Sequence, residues 1–267
     1  MLDLERIQKD TYDMDLLVNL TINFVVAFMS FVGGWIWQRA KEVIQTRPAR
    51  TFWRQFITSN AQIIIPRFFG PLGPSKFKHE QIGVIGCGTA AGLTELSLFL
   101  QTLYRKNLPL SYADTIGGDS LKTHLVLLGG PRSSPLMKET LDRIPTSWHF
   151  EKKPTGENIL VDKKTGDIIS ALIKDDTFNP RLQEVGTDYA VIISTKNPFA
   201  KEKRLLQMAG IHDYGTWAAM RFVLSNAFLS HPLVREGKAV EALIEVDVLK
   251  RAPQNISLIA LRELSSP

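Results

Sequence analysis

The 267-residue chain has one cysteine, Cys87, so no intrachain disulfide can form and a cysteine-rich metal site is excluded. So little cysteine fits a reducing compartment. No grouping of His, Cys, Asp or Glu has metal-ligand spacing, and no metal is expected. The chain also lacks a P-loop, a nucleophile elbow, an internal repeat and any low-complexity run. Excess charge is scarce: 32 Lys and Arg stand against 27 Asp and Glu, a net charge of +5. The basic residues are spread along the chain beside acidic ones, so a nucleic-acid duplex is not an expected partner.

The most informative absence is local. Leu16 to Trp37 (LLVNLTINFVVAFMSFVGGWIW) carries no charged residue over 22 positions. At 1.5 Å per residue this is roughly 33 Å of helix, enough to cross a hydrocarbon core of about 30 Å. Asn19 and Asn23 share a helix face, and Gly33 and Gly34 allow close approach, so homo-oligomers through this helix are expected. Trp35 and Trp37 stand where amphipathic rings favour the headgroup layer. The acidic stretch before the span (Asp3, Glu5, Asp10, Asp13, Asp15) argues against a cleaved signal peptide. Arg39, Lys41, Arg47, Arg50 and Arg54 follow the span, against Arg6 and Lys9 before it. The positive-inside rule then puts the N-terminus outside and the rest in the cytoplasm. The expected organisation is a tail over 1–15, a transmembrane helix over 16–37, a basic linker over 38–59 lying against anionic headgroups, and one soluble domain over 60–267.

What is present in 60–267 is alternation. Short apolar runs at Ala61 to Ile65, Ile82 to Ile85, Leu110 to Ala113 and His124 to Leu128 read as strands. Leucines at helical spacing predict a helix over Leu93 to Arg105, and a second is predicted from Pro135 to Ile144, with proline near its start. Trp148 to Glu151 is a short strand. Ile159 to Ile173 reads as a hairpin turning at Lys164 to Gly166. Tyr189 to Ser194 and Arg204 to Ala209 form an antiparallel pair around an Asn-Pro-Phe loop. A helix from about Trp217 to Leu229 and a terminal hairpin (Glu241 to Leu249, Ile256 to Leu264) complete the chain. This pattern predicts an α/β three-layer domain of Rossmann-like kind, its mixed sheet carrying antiparallel hairpins.

Three glycine-bearing loops precede helices: Gly86-Cys87-Gly88-Thr89, Gly129-Gly130-Pro131-Arg132-Ser133-Ser134 and Gly210-Ile211-His212-Asp213-Tyr214-Gly215-Thr216. In open α/β sheets such loops lie at the carboxyl ends of strands, where ligands bind. Glycine admits a ligand close to the backbone, and helix N-termini offer free N–H groups to an anion. Arg132 can fork onto a phosphate, with Ser133, Ser134 and Thr216 as hydroxyl donors. The expected ligand-binding set is therefore Gly86, Gly88, Thr89, Gly129, Gly130, Arg132, Ser133, Ser134, His212, Gly215 and Thr216. The bland alternative is ordinary turn chemistry, with Ser134 or Thr216 capping a helix.

The first loop matches G-x-G-x-x-A, but a dinucleotide site needs an acidic residue about 20 positions on. Asp114, 28 residues beyond Gly86, comes late, and the strand before the loop is thin. A nicotinamide oxidoreductase is thus disfavoured. Glu95 and His212, the latter beside Asp213, are the candidate catalytic groups: a carboxylate at a nucleotide pocket can serve as general base or stabilise an oxocarbenium-like centre. Against this stand helix-dipole complementarity for Glu95 and a loop side chain bonding the backbone for His212.

LVLLGGPRSSPLMKETL (Leu125 to Leu141), NPF (Asn197 to Phe199) and AGIHDYGTWAAMRFVL (Ala209 to Leu224) together resemble a group of bacterial Rossmann-like proteins. These are similar to the SLOG and TIR-like nucleotide-handling domains of bacterial conflict systems. The group has Asn where this chain has Ser134, and Gly where it has Asp213. The resemblance covers roughly residues 85–225 and implies a nucleotide-derived ligand at a bacterial inner membrane. Three readings follow: a single-pass membrane sensor of a nucleotide-derived signal, a nucleotide hydrolase of the NAD glycohydrolase kind using Glu95, and a non-enzymatic anchor or docking domain. With the basic excess after the span, protease applied outside intact cells should leave the C-terminal domain uncut. Digestion of that domain from outside reverses the orientation.

Overall fold

A computed structural model describes residues 46–59, 61–67, 85–175 and 183–264, together with positions 28–32, 34, 35, 37, 38 and 41. The chain divides into two units, Met1–Arg47 and Pro48–Pro267. Most of the expected transmembrane segment lies outside the described residues. So do the tail over 1–15 and all but the last residue of the strand expected at Ile82 to Ile85. Described positions between 28 and 41 are helical, and Phe28, Met29, Phe31, Trp35 and Trp37 are exposed. Among the described residues no helix is long and apolar enough to cross a membrane.

The second unit is a mixed α/β domain. Its helices are α1 (48–58), α2 (Cys87–Tyr104), α3 (Pro135–Asp142), α4 (Asp213–Leu224), α5 (Asn226–Leu229) and α6 (Pro232–Arg235). Its strands are β1 (Gln62–Ile65), β2 (Leu110–Tyr112), β3 (Leu125–Leu128), β4 (Trp148–Lys152), β5 (Asn158–Asp162), β6 (Ile168–Ser170), β7 (Leu172–Asp175), β8 (Gln183–Asn197), β9 (Ala200–Gly210), β10 (Val240–Leu249) and β11 (Ala252–Glu263). The main sheet has the order β11-β10-β8-β9-β3-β1-β2, with β7 on the first part of β8. β2, β1, β3 and β9 run parallel. The β9-β8-β10-β11 half is antiparallel. β4, β5 and β6 form a separate antiparallel sheet.

Strand residues alternate between faces, and here both faces are buried. Ile63, Ile65, Val126, Leu128, Ile192, Leu206 and Met208 join one core with α1, α2, α4 and α5. Their neighbours Ile64, Leu125, Leu127, Val191, Ile193 and Leu205 join a second core with α3, Trp148 and Leu160. Helices thus cover one face, and α3 with the small sheet covers the other. This burial explains why LVLL in β3 is apolar at every position.

Three local expectations are corrected. The basic stretch over 38–59 is not all linker: α1 lies within it, Trp53 and Phe56 are fully buried, and Phe52 meets Trp53 and Phe228 edge-on at 5.4 and 5.5 Å. Its arginines alternate with aromatics at helical spacing, so one face packs while the other carries charge. The hairpin expected over Ile159 to Ile173 ends at Ser170, because at buried Ala171 the chain leaves the small sheet and joins β8 as β7. The helix expected through Leu229 stops at Leu224, where the Ser225 hydroxyl caps α5 by accepting from the Phe228 N–H. Trp53→Ala should lower unfolding stability by about 3–5 kcal/mol, the range for emptying a large buried aromatic site. A loss near zero in chemical denaturation would return this segment to a linker.

Candidate functional site

The parallel strands carry a topological switch. The helix after β1, α2, packs on one face of the sheet, and the helix after β3, α3, packs on the other. Where neighbouring parallel strands send their connections to opposite faces, a crevice opens at their carboxyl ends. Here that crevice is a cleft of about 300 Å³ lined by Pro66 after β1, Gly129 and Gly130 after β3, Gly210 to Asp213 after β9, Gly86 and Thr89 at the start of α2, and Thr216. Arg132, Ser133 and Asn158 complete the wall. A side pocket of about 220 Å³ shares Gly130, Arg132 and Asn158 and extends to Phe150 and Lys152 of β4. All three glycine loops therefore meet.

Not every residue expected to bind a ligand faces the cleft, and the reasons are physical. The amino end of α2 is already occupied by an anion, the Asp213 carboxylate. It accepts from Gly88 N (2.5 Å), Thr89 N (3.0 Å) and Thr89 Oγ1 (2.6 Å). A Cβ on Gly86 would collide with the Asp213 carboxylate, and one on Gly88 would collide with the Asp213 carbonyl oxygen. These glycines admit α4, not a pyrophosphate. Gly88 is thereby corrected from ligand binder to helix contact.

Ser134 is also corrected. It is buried and caps α3, accepting from the Leu136 N–H at 3.1 Å, and it does not line the cleft. Gly215 donates its N–H to Asp188 Oδ2 at 2.6 Å and is likewise absent from the lining. Ser133 does line the cleft, but its hydroxyl donates to the Gly130 carbonyl at 2.5 Å inside the turn that Gly129, at φ +105°, opens. Thr216 Oγ1 accepts from Gly210 N at 3.0 Å, which leaves its proton to donate.

Glu95 is not at the cleft. It sits well inside α2, where both oxygens meet the Arg221 guanidinium of α4: Nη2 to Oε1 at 2.6 Å and Nε to Oε2 at 2.7 Å. Trp217 Nε1 donates to Oε1 at 3.1 Å. Arg221 lies over the Trp217 ring and also donates to the Pro253 carbonyl at 2.9 Å. The Arg221 guanidinium holds the Glu95 carboxyl below its usual range, against a smaller opposing effect of burial. Its engagement is with the α2–α4 seam, not with a reacting bond.

His212 does reach the cleft. Its backbone N–H donates to Asp188 Oδ1 at 3.2 Å, and its ring Nε2 is buried with no hydrogen-bond partner. Asp188 is fully buried and also accepts from Tyr189 N (2.8 Å) and Gly215 N. Burial pushes its carboxyl up, opposed by the charge of His212 and by these donors. Asp188 and Asn158 were not singled out from sequence. Asp188 lies in a strand whose apolar run begins only after it, and Asn158 reaches the site from a hairpin of the other sheet, so no local pattern marks either.

Arg132 and the Asn158 side-chain amide have no hydrogen-bond or ion-pair partner among the described residues. No cluster that could hold a metal ion occurs among the described residues. Compared with protein-family models, curated proteins and solved structures, the chain matches none.

Glu95→Gln tests the structural assignment. Because the folded carboxyl titrates below its ordinary value of 4.5, its stabilisation is complete above that value and is lost as pH falls through the lowered one. The variant should therefore be about 1 kcal/mol less stable at pH 7, a charge-assisted contact discounted for the pair's partial exposure. The deficit should vanish in acid. A deficit that does not shrink as pH falls below 4.5 assigns the loss to something other than this pair.

Proposed function

We propose that the cleft at the β1–β3 switch point binds a phosphate-bearing, nucleotide-derived small molecule, and that the domain senses this ligand for a membrane-anchored effector. One observation carries the reading: Arg132, a cation with no ion-pair partner among the described residues, lines a glycine-bearing crevice at the carboxyl ends of parallel strands. That is where α/β sheets of Rossmann-like kind take their ligands. Asn158 and Thr216 add neutral donors suited to a sugar or base edge, and Phe150 offers an aromatic face in the side pocket.

The loops that carry the resemblance to nucleotide-handling domains, Gly129 to Ser133 and Gly210 to Thr216, supply most of this wall. The exposed apolar side chains from Phe28 to Trp37 support an anchor in lipid, with the domain on the cytoplasmic side of a bacterial inner membrane. A sensor needs binding without turnover, and Glu95 is engaged elsewhere.

A second reading keeps an enzyme but changes its base. The unpartnered Nε2 of His212 at the cleft wall, with Asp188 behind it, is the only arrangement among the described residues that favours hydrolysis of a bound nucleotide. Product analysis alongside binding separates the two: ligand that stabilises the protein and is recovered intact belongs to a sensor. In a thermal-melting screen against nucleotides and cyclic oligonucleotides, a ligand at about 100 times its Kd should add about 2.7 kcal/mol. Arg132→Ala should weaken that ligand by roughly 1.5–3 kcal/mol with little change in unliganded stability. Equal affinity in the variant removes the Gly129 to Ser134 loop from the site.

A further inference from the structure

A cleft larger than the switch-point cleft or its side pocket lies at the other end of the sheet. It encloses about 700 Å³. It is bounded by the end of β8, the β8–β9 turn, the start of β9, the loop before β10, the end of β11 and the carboxyl end of α3. From Arg204 to Gly210 along β9 is six residues, about 20 Å at strand rise, so this space is separate from the nucleotide cleft. Among the described residues its wall carries Arg143, Lys196, Lys201, Arg204 and Lys238 against a single carboxylate, Glu263.

The balance within the cleft is uneven. Arg143 is paired with Glu139 at 2.6 Å and lies over the Phe199 ring, and Lys238 meets Glu263 at 3.3 Å. Both ion pairs are about half exposed, so solvent screens them and they hold their charges loosely. Lys196 and Lys201 have no carboxylate partner among the described residues.

Arg204 is the informative group. It is largely withdrawn from solvent, yet among the described residues its guanidinium meets only neutral acceptors: the Gly237 carbonyl at 3.2 Å and Ser194 Oγ at 3.4 Å. Its Nε is buried with no hydrogen-bond partner among them. Desolvation disfavours its charged form, lowering its pKa. A desolvated cation facing a cleft without a counter-ion is a costly arrangement for a fold to keep, and an anion seated in the cleft removes that cost.

We propose that this cleft is a second, independent binding site for a small polyanion bearing two or more clustered phosphate groups, with Arg204 at its base and Lys196 and Lys201 at its mouth. Five cations exceed what one phosphate needs, and the volume exceeds what one phosphate fills. A recessed, concave wall suits a compact molecule better than a flat charged surface. Free polyphosphates and phosphorylated lipid headgroups share this chemistry.

The test is calorimetric titration of the full chain in an uncharged detergent at low salt, with inorganic triphosphate as the probe. One-to-one binding is expected, weakening as sodium chloride is raised and the charges are screened. Lys196→Gln/Lys201→Gln alters exposed side chains at the ends of a hairpin, so the fold should persist, and affinity should fall about tenfold or more. Lys106→Gln, at an exposed lysine outside both clefts, should leave triphosphate affinity unchanged. Arg204→Gln should abolish the rise in melting temperature that triphosphate gives the wild type. Glycerophosphoinositol bisphosphate then separates the sources: tighter binding than triphosphate assigns the site to a lipid headgroup, and equal or weaker binding assigns it to a free polyphosphate. Absence of triphosphate binding, undiminished affinity in the double lysine variant, or an equal loss of affinity in Lys106→Gln overturns the proposal.

Discussion

The Asp213 carboxylate is the contact on which the architecture of the switch-point cleft depends. It belongs to the first turn of α4 and binds the first turn of α2. Two helix N-termini, each carrying the positive end of a macrodipole, are thereby brought together, which without an anion between them is unfavourable. One carboxylate complements both ends and satisfies donors that α2 cannot satisfy itself, since Gly86, its N-cap, has no side chain. The same contact dictates glycine at 86 and 88. Farther along the seam Gly92 allows Met220 and Trp217 to close, and the Glu95–Arg221 pair clamps the helices beyond it.

A second carboxylate holds the loop from the other side. Asp188, buried beneath the β9–α4 connection, receives the N–H groups of His212 and Gly215, while Gly210 N is satisfied by Thr216. The backbone of this loop is therefore set mainly by Asp188, which does not line the cleft. What remains facing it are side chains: the His212 ring, the Thr216 hydroxyl, Arg132 and Asn158. The cleft has a rigid backbone floor and a few free polar groups on its walls, the division expected of a preformed small-molecule site.

Much of this was legible in sequence, and what was not has a common cause. The β3 strand, the α3 cap, the β8–β9 pair and the terminal hairpin follow from local patterns: apolar period, turn residues and proline placement. So does the convergence of three glycine loops, because strand-loop-helix order puts such loops at one end of a parallel sheet. The errors concern partners distant in the chain. Asp213 meets Gly88 across 125 residues and Glu95 meets Arg221 across 126. A glycine needed to admit a helix and one needed to admit a phosphate are identical in sequence. Helix α1 was missed for another reason: its arginines, read as a charge run, lie on one face of a helix whose other face is aromatic.

Charge distribution shows the same limit. Along the chain, basic and acidic residues are interspersed, and the net charge of +5 is too dispersed in sequence to define a surface. Folding changes this. The turn between β8 and β9 brings Lys196 and Lys201 together, the register of β9 sets Arg204 beneath them, and α3 and the start of β10 add Arg143 and Lys238. Among the described residues of that wall, Glu263 is the one carboxylate against five cations. A cluster of like charges at this end of the sheet attracts anions. The cleft at the opposite end is lined by Arg132 and Asp213 together, so there a cation stands with an anion rather than with other cations, and short-range hydrogen-bond geometry outweighs net charge.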